Sequence, residues 1–120
     1  MSFGIWLIEE KRIIGSIGLF AISYADKNCW MGLLIGDKAC WGKGFATEAG
    51  SLILDYAFGE LGLHKVLVGI FSPNKASQGV ARKLGFKLQG INKDEIFVDG
   101  HYVDGLVFEM FSDEWKAKRS

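Results

Sequence analysis

IGDKACWGKGFATE, residues 35–48, joins an apolar strand to an amphipathic helix through a loop with three glycines. The run Cys29 to Ile35 before the loop is almost wholly apolar, which is typical of a strand covered on both faces. A junction between a strand and a helix presents unpaired backbone N–H groups and the positive end of the helix dipole to phosphate oxygens. Because Lys43 adds a positive charge beside them, the stretch predicts a phosphate-binding site.

The helix after this loop begins at Phe45 in the prediction, because apolar residues recur from there with a helical period. The stripe expected to face the core consists of Phe45, Ala49, Leu52, Ile53, Tyr56 and Ala57. Gly62 suits a left-handed position after the helix, Asn74 suits the N-cap of a second helix, and Gly85 ends that helix.

Outward from this stretch, strands and helices alternate in an order that predicts an α/β (α+β) fold in one domain, residues 1–120. An N-terminal hairpin precedes the central strand, and Asp99-Gly100 is a strong hairpin turn signal near the other end. The predicted strands cover residues 3–9, 13–23, 29–35, 65–71, 86–98 and 102–111, and the later helices cover 75–84 and 113–118.

The composition argues against a nucleic-acid-binding, disulfide-rich or membrane-spanning protein. Hydrophobic residues make up 49% of the 120-residue chain, and 14 Lys and Arg balance 14 Asp and Glu, so no global field favours nucleic acid or anionic lipid. The two cysteines, Cys29 and Cys40, lack metal or disulfide spacing and are expected to be reduced. No apolar stretch is long enough to span a bilayer, so the cytoplasm is the expected compartment, and no metal is expected.

Other phosphate-binding loops do not fit the glycine spacing. Gly36 to Gly42 is one residue too long for a Walker A loop, and Gly44 stands where Ser or Thr would hold magnesium. Thr47 occupies the place of the third glycine of a dinucleotide fingerprint. The spacing argues against ATP and NAD, although two glycines can also simply shape a surface loop.

Two motifs carry a resemblance to a known family. Gly44 and Ala46 match the Q/R-x-x-G-x-G/A loop of the GCN5-related N-acetyltransferase (GNAT) superfamily, and Trp41 to Ala49 reads like its RimJ/RimL-like branch. Asn74, Ser77 and the KLGF stretch at 83–86 match a second motif of that branch. The resemblance implies a mixed, mostly antiparallel sheet with flanking helices, and acetyl-coenzyme A as the co-substrate. It also implies a short N-terminus, without the strand and helices that usually precede the first hairpin.

The resemblance also implies roles for individual residues. The residues expected to contact the cofactor are Leu33, Leu34, Ile35, Trp41, Gly42, Lys43, Gly44, Phe45, Ala46, Asn74 and Ser77. An amine would attack the thioester directly, and a base must remove its proton. Trp30 stands where many relatives carry a glutamate, and Ala81 where many carry a tyrosine. The candidate replacement catalytic residues are Glu48, Glu95, His101 and Asp104.

Two functions follow from this pattern. The first is an acetyl-coenzyme A-dependent N-acetyltransferase that acts on a primary amine: a small amine, an amino sugar or a protein N-terminus. The second is a catalytically impaired coenzyme A-binding or structural remnant of such a domain. Because a short N-terminus would leave apolar surface and a sheet edge uncovered, we also expect a homodimer.

Overall fold

One six-stranded mixed sheet forms the centre of the protein, as the sequence predicts. The computed structural model describes the backbone of residues 2–7, 12–35 and 44–119, and the side chains of residues 17–32, 44 and 46–119. The strands are β1 (Ser2–Leu7), β2 (Arg12–Ser23), β3 (Asn28–Ile35), β4 (Lys65–Phe71), β5 (Lys87–Val98) and β6 (His101–Phe111). Their order across the sheet is β1-β2-β3-β4-β6-β5. β3 and β4 run parallel, and the other neighbouring strands run antiparallel.

Within the described ranges, three helices accompany the sheet: α1 (Phe45–Asp55), α2 (Lys75–Leu84) and α3 (Ser112–Arg119). α1 continues into a π-helical turn, Tyr56–Glu60, and Gly62 follows with φ 63°. The predicted helix starts at Phe45 and Lys75 are confirmed, and so are the left-handed position of Gly62 and the end of the second helix at Gly85. No helix in the described part of the chain is long and apolar enough to cross a membrane.

The hydrophobic core lies between the three helices and one face of the sheet. Alternate residues of β4, namely Val66, Val68 and Ile70, are buried there, and their antiparallel partners on β6 include Phe108 and Met110. The helices complete the cluster with Ile53, Leu54, Ala57, Phe58, Ala81, Leu84 and Trp115. Cys29 is a free, buried thiol in this core.

Among the described side chains, which leave out Phe45, the buried stripe of α1 differs from the prediction at one position. Leu52 is 64% exposed, whereas Leu54 is fully buried. The reason is the neighbouring helix: α1 packs against α2 at Gly50, where an added Cβ would lie 2.6 Å from Leu84 Cδ1. This contact turns Gly50 and Leu54 inward and leaves Leu52 facing solvent.

The opposite face of the sheet, here called the open face, carries no helix in the part of the chain that the structure describes. Register and side-chain alternation place Phe20, Trp30, Phe71 and Gly105 on this face. Phe20 is 54% exposed and Phe71 is 39% exposed. The open face is therefore an accessible, partly apolar surface beside the point where the central strands end.

A polar contact fixes α3 to the end of α1. The carboxylate of Asp55 accepts hydrogen bonds from the Trp115 indole (2.8 Å) and from the Arg119 guanidinium (3.1 and 2.8 Å). The Trp115 side chain is buried in the core, so this contact joins the C-terminal helix to the helix that follows the glycine loop.

Candidate active site

The two parallel strands in the middle of the sheet separate toward their C-terminal ends. Within the described residues, β3 and β4 pair at Asn28–Lys65, Cys29–Val66 and Trp30–Leu67 and no further, although β3 continues to Ile35. Residues 33–35 pair with β2 on their other side. The β4-facing backbone groups of Leu33, Leu34 and Ile35, three predicted cofactor-binding residues, therefore border a gap that can accept an extended ligand.

Two helix N-termini meet at the edge of the sheet where this gap opens. α1 follows β3 and α2 follows β4, and adjacent parallel strands deliver their carboxyl ends to the same edge. The two helices also touch, through Gly50 and Leu84. The positive ends of two helix dipoles therefore lie at one edge of the sheet, which is an arrangement suited to phosphate groups.

The start of α1 has the geometry of a backbone anion site. Gly44 has φ 83°, a left-handed conformation, and its carbonyl accepts the first helical hydrogen bond from Glu48 N at 2.9 Å. No side-chain hydrogen bond caps this helix among the described residues. The N–H groups of Phe45 and Ala46 in the first turn thus remain suited to a ligand. Trp41, Gly42 and Lys43 lie outside the described residues, so their roles stay predictions.

The start of α2 is held by side chains. Asn74 Oδ1 accepts a hydrogen bond from Ser77 N at 3.1 Å, which confirms Asn74 as the N-cap. Gln78, only 6% exposed, donates from Nε2 to the carbonyl of Ser72 at 2.8 Å. Gln78 is not among the residues predicted from the sequence; its signal is a polar residue at helical spacing from Ala81 on the buried stripe. Cofactor contacts by Asn74 and Ser77 stay predictions.

Two of the four candidate catalytic residues lie away from the gap or serve the fold. Glu48 is exposed in the first turn of α1, where its charge favours the helix dipole. His101 borders the Asp99-Gly100 turn, and its Nδ1 lies 3.3 Å from the carbonyl of Asp99. It stands four residues from Gly105 along β6, about 13 Å at the rise of a strand.

The other two candidates, Glu95 and Asp104, meet at a bulge in the last hairpin. Three residues of β5, 93–95, face Asp104 alone, because the pairs on either side are Asn92–Gly105 and Ile96–Val103. Asp104 Oδ1 accepts a hydrogen bond from Asp94 N at 3.0 Å. The Glu95 side chain crosses the backbone of Gly105, and Asn92 Nδ2 donates to Glu95 Oε1 at 3.4 Å.

The residues that replace the expected glutamate and tyrosine serve packing. Trp30 lies at the last pair between β3 and β4, and its ring lies 3.6 Å from the position of a Cβ on Gly69. Ala81 is 3% exposed and belongs to the core. Among the described residues, no three His, Cys, Asp or Glu side chains are grouped to hold a metal ion.

The sequence and the fold of the chain are similar to those of known proteins. Residues 1–87 match the acetyltransferase (GNAT) domain. A probable N-acetyltransferase, YjcK of Bacillus subtilis, is 37% identical over 111 residues, covering 92% of this chain and 61% of that protein. The [ribosomal protein uS5]-alanine N-acetyltransferase of Escherichia coli is 29% identical over 119 residues, covering 98% and 60%. The chain therefore spans about three-fifths of the length of these relatives.

Solved structures agree with the sequence matches. A mutant form of the spermidine/spermine N-acetyltransferase SpeG from Vibrio cholerae superposes with a TM-score of 0.87 and 25% identity, covering 99% of this chain and 70% of that one. A dodecameric structure of spermidine N-acetyltransferase from Vibrio cholerae gives a TM-score of 0.82 and 26% identity, covering 92% and 64%. The family match, the relatives and the fold agree, and the chain belongs to the acetyltransferase (GNAT) domain family.

Proposed function

We propose that this protein is an N-acetyltransferase that moves the acetyl group of acetyl-coenzyme A to a primary amine. One observation carries the proposal: β3 and β4 separate after Trp30–Leu67, and α1 and α2 begin at the edge where they separate. An extended arm fits a gap lined by strand backbone, and a pyrophosphate fits helix N-termini. Coenzyme A combines these two parts in one molecule.

The cofactor is held mainly by backbone in this proposal. The pantetheine arm bonds to the gap-facing backbone of residues 33–35, and the pyrophosphate lies against residues 41–46 at the start of α1. Asn74 and Ser77 border the cofactor from the start of α2. The left-handed φ of Gly44 and the intact Asn74 cap support this arrangement.

The acceptor amine approaches from the open face. The helices that hold the cofactor lie on the other face, so the open face is the side from which a second substrate can reach the gap. The named relatives act on spermidine or spermine and on the alanine of a ribosomal protein, and these are amines. The acceptor class is therefore a primary amine: a small amine, an amino sugar or a protein N-terminus.

A second candidate function is coenzyme A binding without efficient acetyl transfer. Trp30 and the buried Ala81 favour it, because they stand where many family members carry a catalytic glutamate and tyrosine. Loss of one general acid or base lowers a rate by roughly 10²–10⁴ and leaves cofactor binding intact. The two functions therefore predict different rates of acetyl transfer but the same affinity for the cofactor.

One pair of measurements tests both. Calorimetry measures binding of acetyl-coenzyme A, and release of free thiol measures transfer to a panel that holds spermidine, an amino sugar and a peptide with an N-terminal alanine. The first proposal expects binding together with amine-dependent thiol release well above hydrolysis. Binding without amine-dependent release supports the second function. Absence of binding contradicts both.

We also propose that the protein forms a homodimer. The exposed aromatic ring of Phe20, on the β2 part of the open face, supports an additional contact surface, and a related enzyme has a dodecameric structure. Light scattering coupled to size exclusion should give about twice the mass of the chain at micromolar concentration. A clean monomer at that concentration contradicts the proposal.

A further inference from the structure

The hairpin of β5 and β6 holds a carboxylate over the backbone of the strand next to the gap. A Cβ built on Gly105 would overlap Glu95 Oε2 and lie 2.8 Å from its Cδ, so the carboxylate occupies the space that any larger residue would fill. Gly105 is buried and pairs with Phe71, the last residue of β4. The slot for Glu95 thus exists only because residue 105 is glycine.

This slot lies on the open face. Side chains alternate along β6, and Phe108 points into the core among the helices, so the missing side chain of Gly105 points the other way. β6 lies about 4.8 Å from β4, whose far side borders the gap. The Glu95 carboxylate is therefore within about two strand spacings of the gap, on the side from which the acceptor approaches.

Asp104 has a different task in the same hairpin. Its Oδ1 accepts from Asp94 N at 3.0 Å, and Asp94 has φ 51°, a left-handed conformation that this hydrogen bond helps to hold. Its own carbonyl accepts from Ser72 N at 2.8 Å, and the Ser72 carbonyl accepts from the buried Gln78. Asp104 thus ties the bulge that presents Glu95 to the turn that starts α2.

We propose that Glu95 is the catalytic residue that takes the proton of the acceptor amine, and that Asp104 is a positioning residue that holds Glu95 in place. This inference rests on the proposed acetyl transfer and identifies the group that faces the amine. Two features distinguish Glu95 from the other candidates, Glu48, His101 and Asp104. Its side chain lies over β6, the strand next to β4, and among the described contacts it makes no hydrogen bond to the backbone.

The proposed step balances in protons and bonds, and it needs no reactant beyond the amine, the thioester and Glu95. The acceptor ammonium gives one proton to the Glu95 carboxylate, and the neutral nitrogen attacks the thioester carbonyl carbon. The C–N bond forms, the C–S bond breaks, and the leaving thiolate takes a second proton from the nitrogen. The third proton stays on the amide, and Glu95 returns its proton to water.

The test compares four single variants and one double variant in the full chain with an acceptor that supports turnover. Glu95→Gln is nearly isosteric and should lower kcat/KM by about 10² at pH 7 while the Kd for acetyl-coenzyme A stays within about twofold. Gly105→Ala keeps the carboxylate but displaces it and should lower kcat/KM by about tenfold. Asp104→Asn keeps an oxygen for Asp94 N and should remain within about threefold, whereas Asp104→Ala should lose about tenfold.

The pH profile separates proton transfer from a structural effect. A free amine with a pKa of about 10 supplies its own neutral form at high pH, so the deficit of Glu95→Gln should shrink from about 10² at pH 7 to less than about tenfold at pH 9.5. Asp104→Ala should show the same trend, and the double variant should be no worse than Glu95→Gln, since the two residues act as one unit.

Three results would overturn the inference. Unchanged kcat/KM in Glu95→Gln removes the role of Glu95. A loss in Asp104→Asn as large as in Asp104→Ala makes the Asp104 carboxylate the proton acceptor. A deficit that does not change with pH makes the effect structural. In contrast, absence of amine-dependent transfer by the unaltered protein contradicts the proposed function itself, and this inference with it.

Discussion

Gly50→Ala is the substitution whose cost follows most directly from the structure. Gly50 is buried in α1 at its contact with α2, and an added Cβ would lie 2.6 Å from Leu84 Cδ1 and 3.4 Å from Leu84 Cδ2. Carbon atoms in contact prefer about 3.5–4.0 Å. Leu84 is 1% exposed, so its side chain has no solvent to move into. Either the two helices separate by about 1 Å or Leu84 leaves its rotamer.

Gly79→Ala is the matched control. Gly79 lies in α2, is exposed, and has no atom within 4 Å of the position of an added Cβ. Alanine is more favourable than glycine inside a helix by about 1 kcal/mol, and both substitutions gain this amount. Overpacking at Gly50 costs about 1–3 kcal/mol. The free energy of unfolding should therefore be about 1–3 kcal/mol lower for Gly50→Ala than for Gly79→Ala.

Urea unfolding of the two variants and the unaltered protein measures this difference. Gly79→Ala should raise the free energy of unfolding by about 0.5–1 kcal/mol, and Gly50→Ala should leave it unchanged or lower it by up to about 2 kcal/mol. Because α1 and α2 both begin at the proposed cofactor site, Gly50→Ala should also weaken acetyl-coenzyme A binding. Equal stability of the two variants, within about 0.5 kcal/mol, would refute the close packing of α1 on α2.

Three further predictions concern the second helix, the C-terminal contact and the buried thiol. Asn74→Ala removes the acceptor for Ser77 N and should lower the free energy of unfolding by about 1 kcal/mol in urea, whereas Asn74→Asp should stay near the unaltered value. The hydrogen bond from Arg119 lowers the pKa of Asp55 in the folded protein. This contact therefore stabilises the fold above the unfolded pKa of about 3.9, and the stabilisation is lost as pH falls through the folded pKa. Arg119→Met should cost roughly 0.2–1 kcal/mol at pH 7, and this cost should shrink as the pH of the same urea assay is lowered below about 3.9. Burial raises the pKa of Cys29 to about 11, so peptide mapping after iodoacetamide at pH 8 should find it unmodified until the protein unfolds, and rapid native modification would contradict its burial.

The elements that follow from local chemistry were predictable from sequence. β4 has the predicted bounds, Lys65–Phe71, because it is a short apolar run between turn residues. Asp99 and Gly100 form the predicted tight turn, with φ values of 48° and 83°. Asn74 caps α2 through a side chain only three residues from its partner. In each case the deciding contacts lie within a few residues of each other along the chain.

The features that sequence analysis missed depend on contacts between distant segments. The bulge at 93–95 interrupts a run that reads as a continuous strand, because Asp104 on the other strand holds Asp94. The slot at Gly105 has no sequence signal of its own until the register brings Glu95 over it. Leu52 fits a helical stripe, but the position of α2 decides which side of α1 is buried. The helical period shows that α1 has an apolar face, but the packing of neighbouring elements decides in which direction that face points.

The difference between local contacts and contacts between distant segments explains why the cofactor is easier to predict than the acceptor. The proposed cofactor contacts are mostly backbone N–H and C=O groups, whose placement follows from where a strand ends and a helix begins. In the proposed reaction, the acceptor meets side chains on the open face instead. Relatives of similar identity act on a polyamine and on a protein alanine, so the shared fold leaves the acceptor open. Under this proposal, open-face side chains discriminate between acceptors, and Glu95 lies there over Gly105, the strand partner of the apolar Phe71. That combination suits a cationic amine on an apolar carbon chain better than an amino sugar.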